Sequence, residues 1–158
     1  GLLGDVSLAI GGPADSSADS HVGGTANDRL IGGAGNDRYL FNRGGGQDLV
    51  VDSGGSADRM AFSDGINPFD LLLSRQANDL RIAVYGSTDQ VTVQNWFGGA
   101  DNQVETIQAG NGQTMVSSQV DQLIQAMAGF TDNTGMTWDQ GIVAKPEEVQ
   151  AVLAASWQ

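Results

Sequence analysis

A mainly β fold is predicted for this chain: a short coil of parallel strands wound from nonapeptide repeats, a β-rich segment after it, and two C-terminal helices. Three observations predict it. A nine-residue unit is written twice without a gap, as Gly23-Gly24-Thr25-Ala26-Asn27-Asp28-Arg29-Leu30-Ile31 and Gly32-Gly33-Ala34-Gly35-Asn36-Asp37-Arg38-Tyr39-Leu40. Beyond Phe62, short runs of β-branched and alternating residues are separated by turn signals. After Val116, apolar residues return at helical spacing.

Each nonapeptide has a physical logic. Paired glycines permit backbone angles that a side chain forbids, so carbonyl oxygens converge in a tight turn. The Asp adds a hard, charged oxygen, and the apolar residues that follow form a very short strand. Calcium takes six to eight oxygen ligands at about 2.3–2.6 Å, which stacked Gly-Asp turns supply.

The composition agrees. The 158 residues suit one or two small domains, and 23 glycines cluster in the repeats. The net charge of −12 argues against nucleic acid and for a need for cations. The chain lacks cysteine, which excludes disulfides and thiolate metal sites. No run approaches the 18 consecutive apolar residues of a membrane-spanning helix. The chain begins at Gly1, from which a longer parent polypeptide is expected.

Taken in order, residues 1–13 form a linker or the tail of a preceding module, with a short strand suggested by Val6, Leu8 and Ile10. Ala14–Val22 has two readings, a degenerate first repeat with Asp19 in the Asp position or a plain linker. Residues 14–61 form the coil. Its later turns are Arg43–Val51, after the insertion Phe41-Asn42, and Ser53–Ala61. The Asp series 19, 28, 37, 48 and 58 has spacings of 9, 9, 11 and 10, a period that decays as at the end of a solenoid. From Phe62 the period is lost.

Residues 62–116 form the β-rich cap. Strands are expected at Leu71–Arg75, Leu80–Tyr85 and Val91–Val93, and a hairpin at Val104–Gln108 and Thr114–Val116 around Asn111-Gly112. Residues 117–158 are helical. One helix starts near Ser117 or Ser118 and carries Val120, Leu123, Ile124 and Met127. Phe130–Gly141 reads as a loop. A second helix opens at Pro146 with Glu147 and Glu148 in its first turn and runs through Val149, Val152 and Leu153 to Trp157.

The repeats resemble the RTX family of calcium-binding proteins exported by type I secretion. The stretch Tyr39–Asp48, with Asp58-Arg59, Asp70-Leu71, Asn78-Asp79-Leu80 and Asn95-Trp96-Phe97, is similar to the haemolysin-type calcium-binding related segment that follows RTX repeats. The resemblance implies a parallel β-roll, with calcium held between a turn and the next but one. It would place one site at Gly24, Ala26 and Asp28 with Arg43, Gly45 and Asp48. A second would use Gly33, Gly35 and Asp37 with Ser53, Gly55 and Asp58. A third would use Asp15, Ser17 and Asp19 with Gly32, Ala34 and Asp37, although the Asp15–Asp19 turn lacks both glycines.

The resemblance further implies the C-terminal end of a secreted bacterial protein, found outside the cell or on its surface. Its partners would be calcium ions, the type I secretion machinery and upstream domains of the same polypeptide, with no nucleic acid and no membrane insertion. Residues 117–158 would carry an uncleaved secretion signal. Two rivals stand beside this: an adhesive or ligand-binding module built on the β-rich segment, and the accessory tail of a secreted protease or lipase.

Plainer readings hold elsewhere. Asp64, Asp70, Asp79, Asp89 and Asp101 sit in ordinary turn contexts. His21 has no assigned role. Trp96-Phe97 reads as core rather than an exposed patch. No Ser-His-Asp set and no HExxH stretch is present, so no enzymatic activity is expected.

Overall fold

The computed structural model describes residues 7–9, 20–22, 27, 29–33, 35–52, 54–55, 57–99 and 102–158. Strands β1 (Ser7–Ala9), β2 (Ser20–Val22), β3 (Arg29–Gly33), β4 (Arg38–Phe41), β5 (Gln47–Asp52) and β6 (Arg59–Phe62) are laid alternately into two sheets. Each pairs in parallel with the strand two further on: β1 with β3, β3 with β5, β2 with β4 and β4 with β6. Arg29 lies opposite Leu49, and Arg38 opposite Arg59. The turns before β4 and β6 therefore stack at one end.

Alternation turns one face of β4 and β5 inward. Leu30, Tyr39, Val50 and Met60 are fully buried, while Arg38 and Arg59 point to solvent. Phe41 and Phe62 pack ring to ring at 5.6 Å between centroids. The fully buried aliphatic side chains each contribute about 1.5–3 kcal/mol relative to exposure.

The parallel pairing does not stop at Phe62. After β6 come an antiparallel hairpin, β7 (Leu71–Gln76) and β8 (Asp79–Val84), then β9 (Gln90–Val93) and β10 (Thr106–Gln108). Strand β9 pairs in parallel with β5, with Gln47 opposite Gln90. Strand β10 pairs in parallel with β6, with Arg59 opposite Thr106. The nonapeptide period is lost from Phe62, yet the alternation between sheets is not: the hairpin is an insertion, and the alternation resumes after it. Strand β11 (Thr114–Val116) closes the second sheet as an antiparallel partner of β10. Trp96 is buried, as its core reading required, and the Arg75 guanidinium lies 4.5 Å from the Phe97 ring centre.

Three helices cover the chain's end where two were expected: α1 (Val120–Thr134), α2 (Trp138–Ala144) and α3 (Pro146–Ala154). Helix α1 buries Val120, Leu123, Met127 and Phe130 and ends on Gly135 in the left-handed region. Phe130–Gly141 is thus not a loop. Helix α2 begins with a capping box: Thr137 Oγ1 accepts from the Gln140 amide at 3.2 Å, and Gln140 Oε1 accepts from the Thr137 amide at 3.0 Å. Trp138 then meets Phe130 edge to face at 5.3 Å. Helix α3 starts at Pro146 as expected but ends at Ala154. No described helix is long and apolar enough to cross a membrane.

Candidate metal centre

The stacked turns before β4 and β6 bring three buried carboxylates together. Asp37, Asp52 and Asp58 each offer an oxygen, and these oxygens lie within 4.8 Å of one another. Their exposures are 2%, 1% and 0%. Parallel register explains the first pair. Asp37 and Asp58 precede the opposed residues Arg38 and Arg59, and two hydrogen bonds lock them. The Arg59 amide donates to the Asp37 carbonyl at 2.9 Å, and the Asp37 amide donates to Asp58 Oδ1 at 2.7 Å.

Asp52 arrives from the other sheet. It ends β5, where alternation puts Asp48, Val50 and Asp52 on the buried face. Its Oδ1 accepts from the Gly54 amide at 3.1 Å, and its Oδ2 accepts from the Tyr39 hydroxyl at 3.0 Å. Tyr39 is fully buried on β4, so this bond crosses the space between the sheets.

The local backbone is shaped around the same point. Gly55 has φ +90°, which L side chains rarely adopt. A Cβ on it would run into the Gly35 carbonyl oxygen and lie 3.0 Å from both Asp58 carboxylate oxygens. Glycine is therefore required twice over, by backbone angle and by space.

Packing carboxylates into a dry site disfavours their charged forms. Burial pushes the Asp58 carboxyl up to about 8; the Asp37 amide opposes this, while the Asp52 and Glu105 charges add to it. Burial likewise pushes Asp52 up to about 6, against the Gly54 amide and the Tyr39 hydroxyl, with the Asp37 charge adding to the rise. Tyr39 is driven above its ordinary range by burial and by Asp52. Asp58 Oδ2 is buried and meets no hydrogen-bond donor among the described residues. An all-oxygen donor set, an unmatched buried carboxylate oxygen and a glycine that clears room for a carbonyl fit a hard cation.

The sequence-predicted ligands divide as follows. Of the second set, Gly35, Asp37, Gly55 and Asp58 converge. Gly33 does not sit in the turn but ends β3 beside Asp52, after a register irregularity that follows Ile31. Gly32 is likewise a strand residue. The irregularity lets the pair finish the strand before the chain turns. Ser53 lies outside the described residues, as do Gly24, Ala26, Asp28, Asp15, Ser17, Asp19 and Ala34. The first and third sets therefore cannot be assembled among the described residues.

What remains of the first set is the turn before β5. Gly45 and Asp48 are buried there. The Arg43 guanidinium lies outside, donating to the Gly65 carbonyl at 3.1 Å and sitting 3.4 Å from Asp70. Asp89 closes this turn, accepting from the Gly44 and Gly46 amides at 2.8 and 3.0 Å. That agrees with a plain turn role for Asp89, as does the Asp79 bond to the Asn95 amide at 2.8 Å. Asp101 is outside the described residues.

Asp52 and Tyr39 were missed by sequence reasoning. The alternation of β5 carried a signal for Asp52, since an acidic residue in phase with Val50 has to face inward. The asparagines of the Asn-Asp pairs were also undervalued. Asn27 Oδ1 accepts from the Gln47 amide at 2.7 Å, and Asn36 Oδ1 accepts from the Ala57 amide at 3.1 Å. The same link thus ties each turn to the next but one at both ends of the coil.

Residues 79–113 match the family model of the haemolysin-type calcium binding protein related domain. The match supports an RTX-like calcium-binding family. It covers β8 of the inserted hairpin and β9 and β10, the two strands that rejoin the parallel pairing, and not the carboxylate cluster itself.

Proposed function

We infer that the chain is a calcium-binding module in which Asp37, Asp52 and Asp58, with the Gly35 carbonyl, hold the ion. The observation that carries this reading is Asp58 Oδ2, a buried carboxylate oxygen that faces two other acids and, among the described residues, no donor. When bound, the cation supplies positive charge that replaces the shared proton. The protein's own part is to converge the oxygens and exclude water. Tyr39 and the Gly54 amide fix Asp52, and the Asp37 amide fixes Asp58.

The alternating parallel strands support reading residues 14–61 as a short β-roll, with Asp48 belonging to a second ion site at the opposite end. On this reading the coil is only marginally stable where calcium is scarce and is held folded where it is abundant. Binding to the folded state alone stabilises it by RT ln(1 + [L]/Kd), about 2.7 kcal/mol at a hundredfold excess over Kd. Such a switch suits a secreted protein that must thread a type I channel unfolded, and the module would be the C-terminal part of a larger polypeptide. It has no catalytic task.

The test is calorimetric titration of the chelated protein with calcium and with magnesium, followed by circular dichroism. Calcium binding with a gain of β signal, weak or absent with magnesium, is expected for the protein and lost in Asp58→Asn. Identical titrations for the protein and the variant would refute the site.

A further inference from the structure

The column of acidic residues at the cluster has a member that the repeats do not supply. Glu105 directly precedes β10, and β10 pairs in parallel with β6, so Glu105 stands beside Asp58 as Asp58 stands beside Asp37. The same pair of bonds recurs one coil further on. The Thr106 amide donates to the Asp58 carbonyl at 3.1 Å, matching the Arg59 amide on the Asp37 carbonyl at 2.9 Å. The Asp58 amide donates to Glu105 Oε1 at 2.8 Å, matching the Asp37 amide on Asp58 Oδ1 at 2.7 Å. Glu105 lies inside the family-matched residues, whereas Asp37, Asp52 and Asp58 do not.

We propose that Glu105 is a positioning residue of the cation site, and that through it filling of the site is coupled to docking of the segment 79–113. The proposal rests on the reading of Asp37, Asp52 and Asp58 as a calcium site. The argument has two parts. Asp58 is fully buried, so its amide needs an internal acceptor, and Glu105 is that acceptor. Holding the amide fixes the main chain from which the Asp58 carboxylate is aimed at Asp37 and Asp52. Glu105 also brings a fourth acidic group next to the cluster, which deepens the need for a counter-charge. An ion held by Asp58 attracts the Glu105 carboxylate as well, and so strengthens the hold of Glu105, and with it β10, on β6. Asp89 closes the opposite end of the coil from the same matched segment, so the segment touches both turn columns.

The experiment measures calcium affinity by calorimetry, and amide exchange with and without calcium, on the whole chain. Glu105→Gln keeps the acceptor and removes the charge, and is expected to weaken calcium by about threefold to tenfold. Glu105→Ala also strands a buried amide, and is expected to weaken it by about tenfold to a hundredfold. In the protein, calcium should slow exchange of the Asp58 and Thr106 amides together; in Glu105→Ala it should no longer protect residues 104–116. Asp79→Asn, the same charge change within the matched segment but away from the column, should bind calcium like the protein. Glu105→Gln serves if the alanine variant does not fold. Affinity unchanged in both Glu105 variants, with protection of residues 104–116 retained, overturns the coupling and leaves the site standing. A protein that takes up no calcium overturns both.

Discussion

Replacing Asp58 by Asn should move stability in opposite directions with and without calcium. The carboxylate oxygens of Asp37, Asp52 and Asp58 lie within 4.8 Å of one another. At that separation each ionised pair costs about 3.5 kcal/mol at an effective dielectric constant near 20. Asp58 takes part in two such pairs, so full ionisation costs about 7 kcal/mol through this residue alone. Holding a proton at pH 7 costs about 4 kcal/mol for a carboxyl whose unfolded value is near 3.9. The proton is therefore the cheaper solution, and it sets the ceiling on what the substitution can return.

The amide side chain of Asp58→Asn would preserve the acceptor for the Asp37 amide and place an NH2 group where the unmatched oxygen stands. The expected gain in chelator at pH 7 is about 2–4 kcal/mol, disappearing near pH 3, where the native carboxyl is protonated in both states. In calcium the sign reverses, because the variant has lost a charged ligand. Urea unfolding followed by circular dichroism, in chelator and in calcium at both pH values, measures each term. Equal destabilisation in chelator and in calcium would refute the reasoning, since it would make Asp58 a structural cap and not a frustrated ligand.

The native pH dependence follows from the same groups. The folded values of Asp58 and Asp52 are raised to about 8 and about 6, so the folded state holds protons that the unfolded state releases. Their contribution in chelator is full below the unfolded carboxyl range and is lost as pH rises from about 4 to about 8. The thermal midpoint in chelator should accordingly rise on acidification from pH 8 to 5, while calcium affinity falls over the same interval. Gly55→Ala should cost about 1–3 kcal/mol more than Gly44→Ala. Both glycines have positive φ, but only at Gly55 does a Cβ meet other atoms, so comparing their unfolding midpoints isolates the steric part. Tyr39→Phe should leave Asp52 Oδ2 without its donor, lowering stability by about 1–3 kcal/mol in chelator and less in calcium. Thr137→Ala removes the cap of α2 and should cost about 1 kcal/mol equally in both conditions.

Much of the coil was legible because its signals are local. The Gly-Gly-x-x-Asn-Asp-Arg unit marks both turn and strand, and its repeat implies the stacking of alternate turns that places Arg38 beside Arg59. The hairpin around Asn111-Gly112 and the start of α3 at Pro146 were legible for the same reason. What escaped depends on distant partners. Strands β9 and β10 carry no repeat, since the β7–β8 hairpin separates them from the strands they join, and only pairing reveals them. Asp52 lies in a strand rather than a turn, so a search for turn acids passed over it. Helix α2 is short, with Gly141 in its middle, yet Thr137 and Gln140 carried the capping signature.

The way the acids are distributed separates the coil from the strands that end it. Within the coil, Asp37, Asp48, Asp52 and Asp58 are all buried, an arrangement that a parallel stack repeats at each turn whether or not a counter-charge is available. In the matched segment, Asp89 and Glu105 are only half-buried, and each satisfies amides at the last turn of a column. A coil of buried acids extended without such a stop would add repulsion with every turn and expose an unpaired parallel edge. The change from buried to half-buried acids limits the repulsion, and the antiparallel strands β8 and β11, laid beyond β9 and β10, cover the parallel edges and leave β7 and β11 outermost. On the proposed reading this accounts for a calcium-related family match on strands that lie next to the cluster without belonging to it: they close a coil that holds a cation.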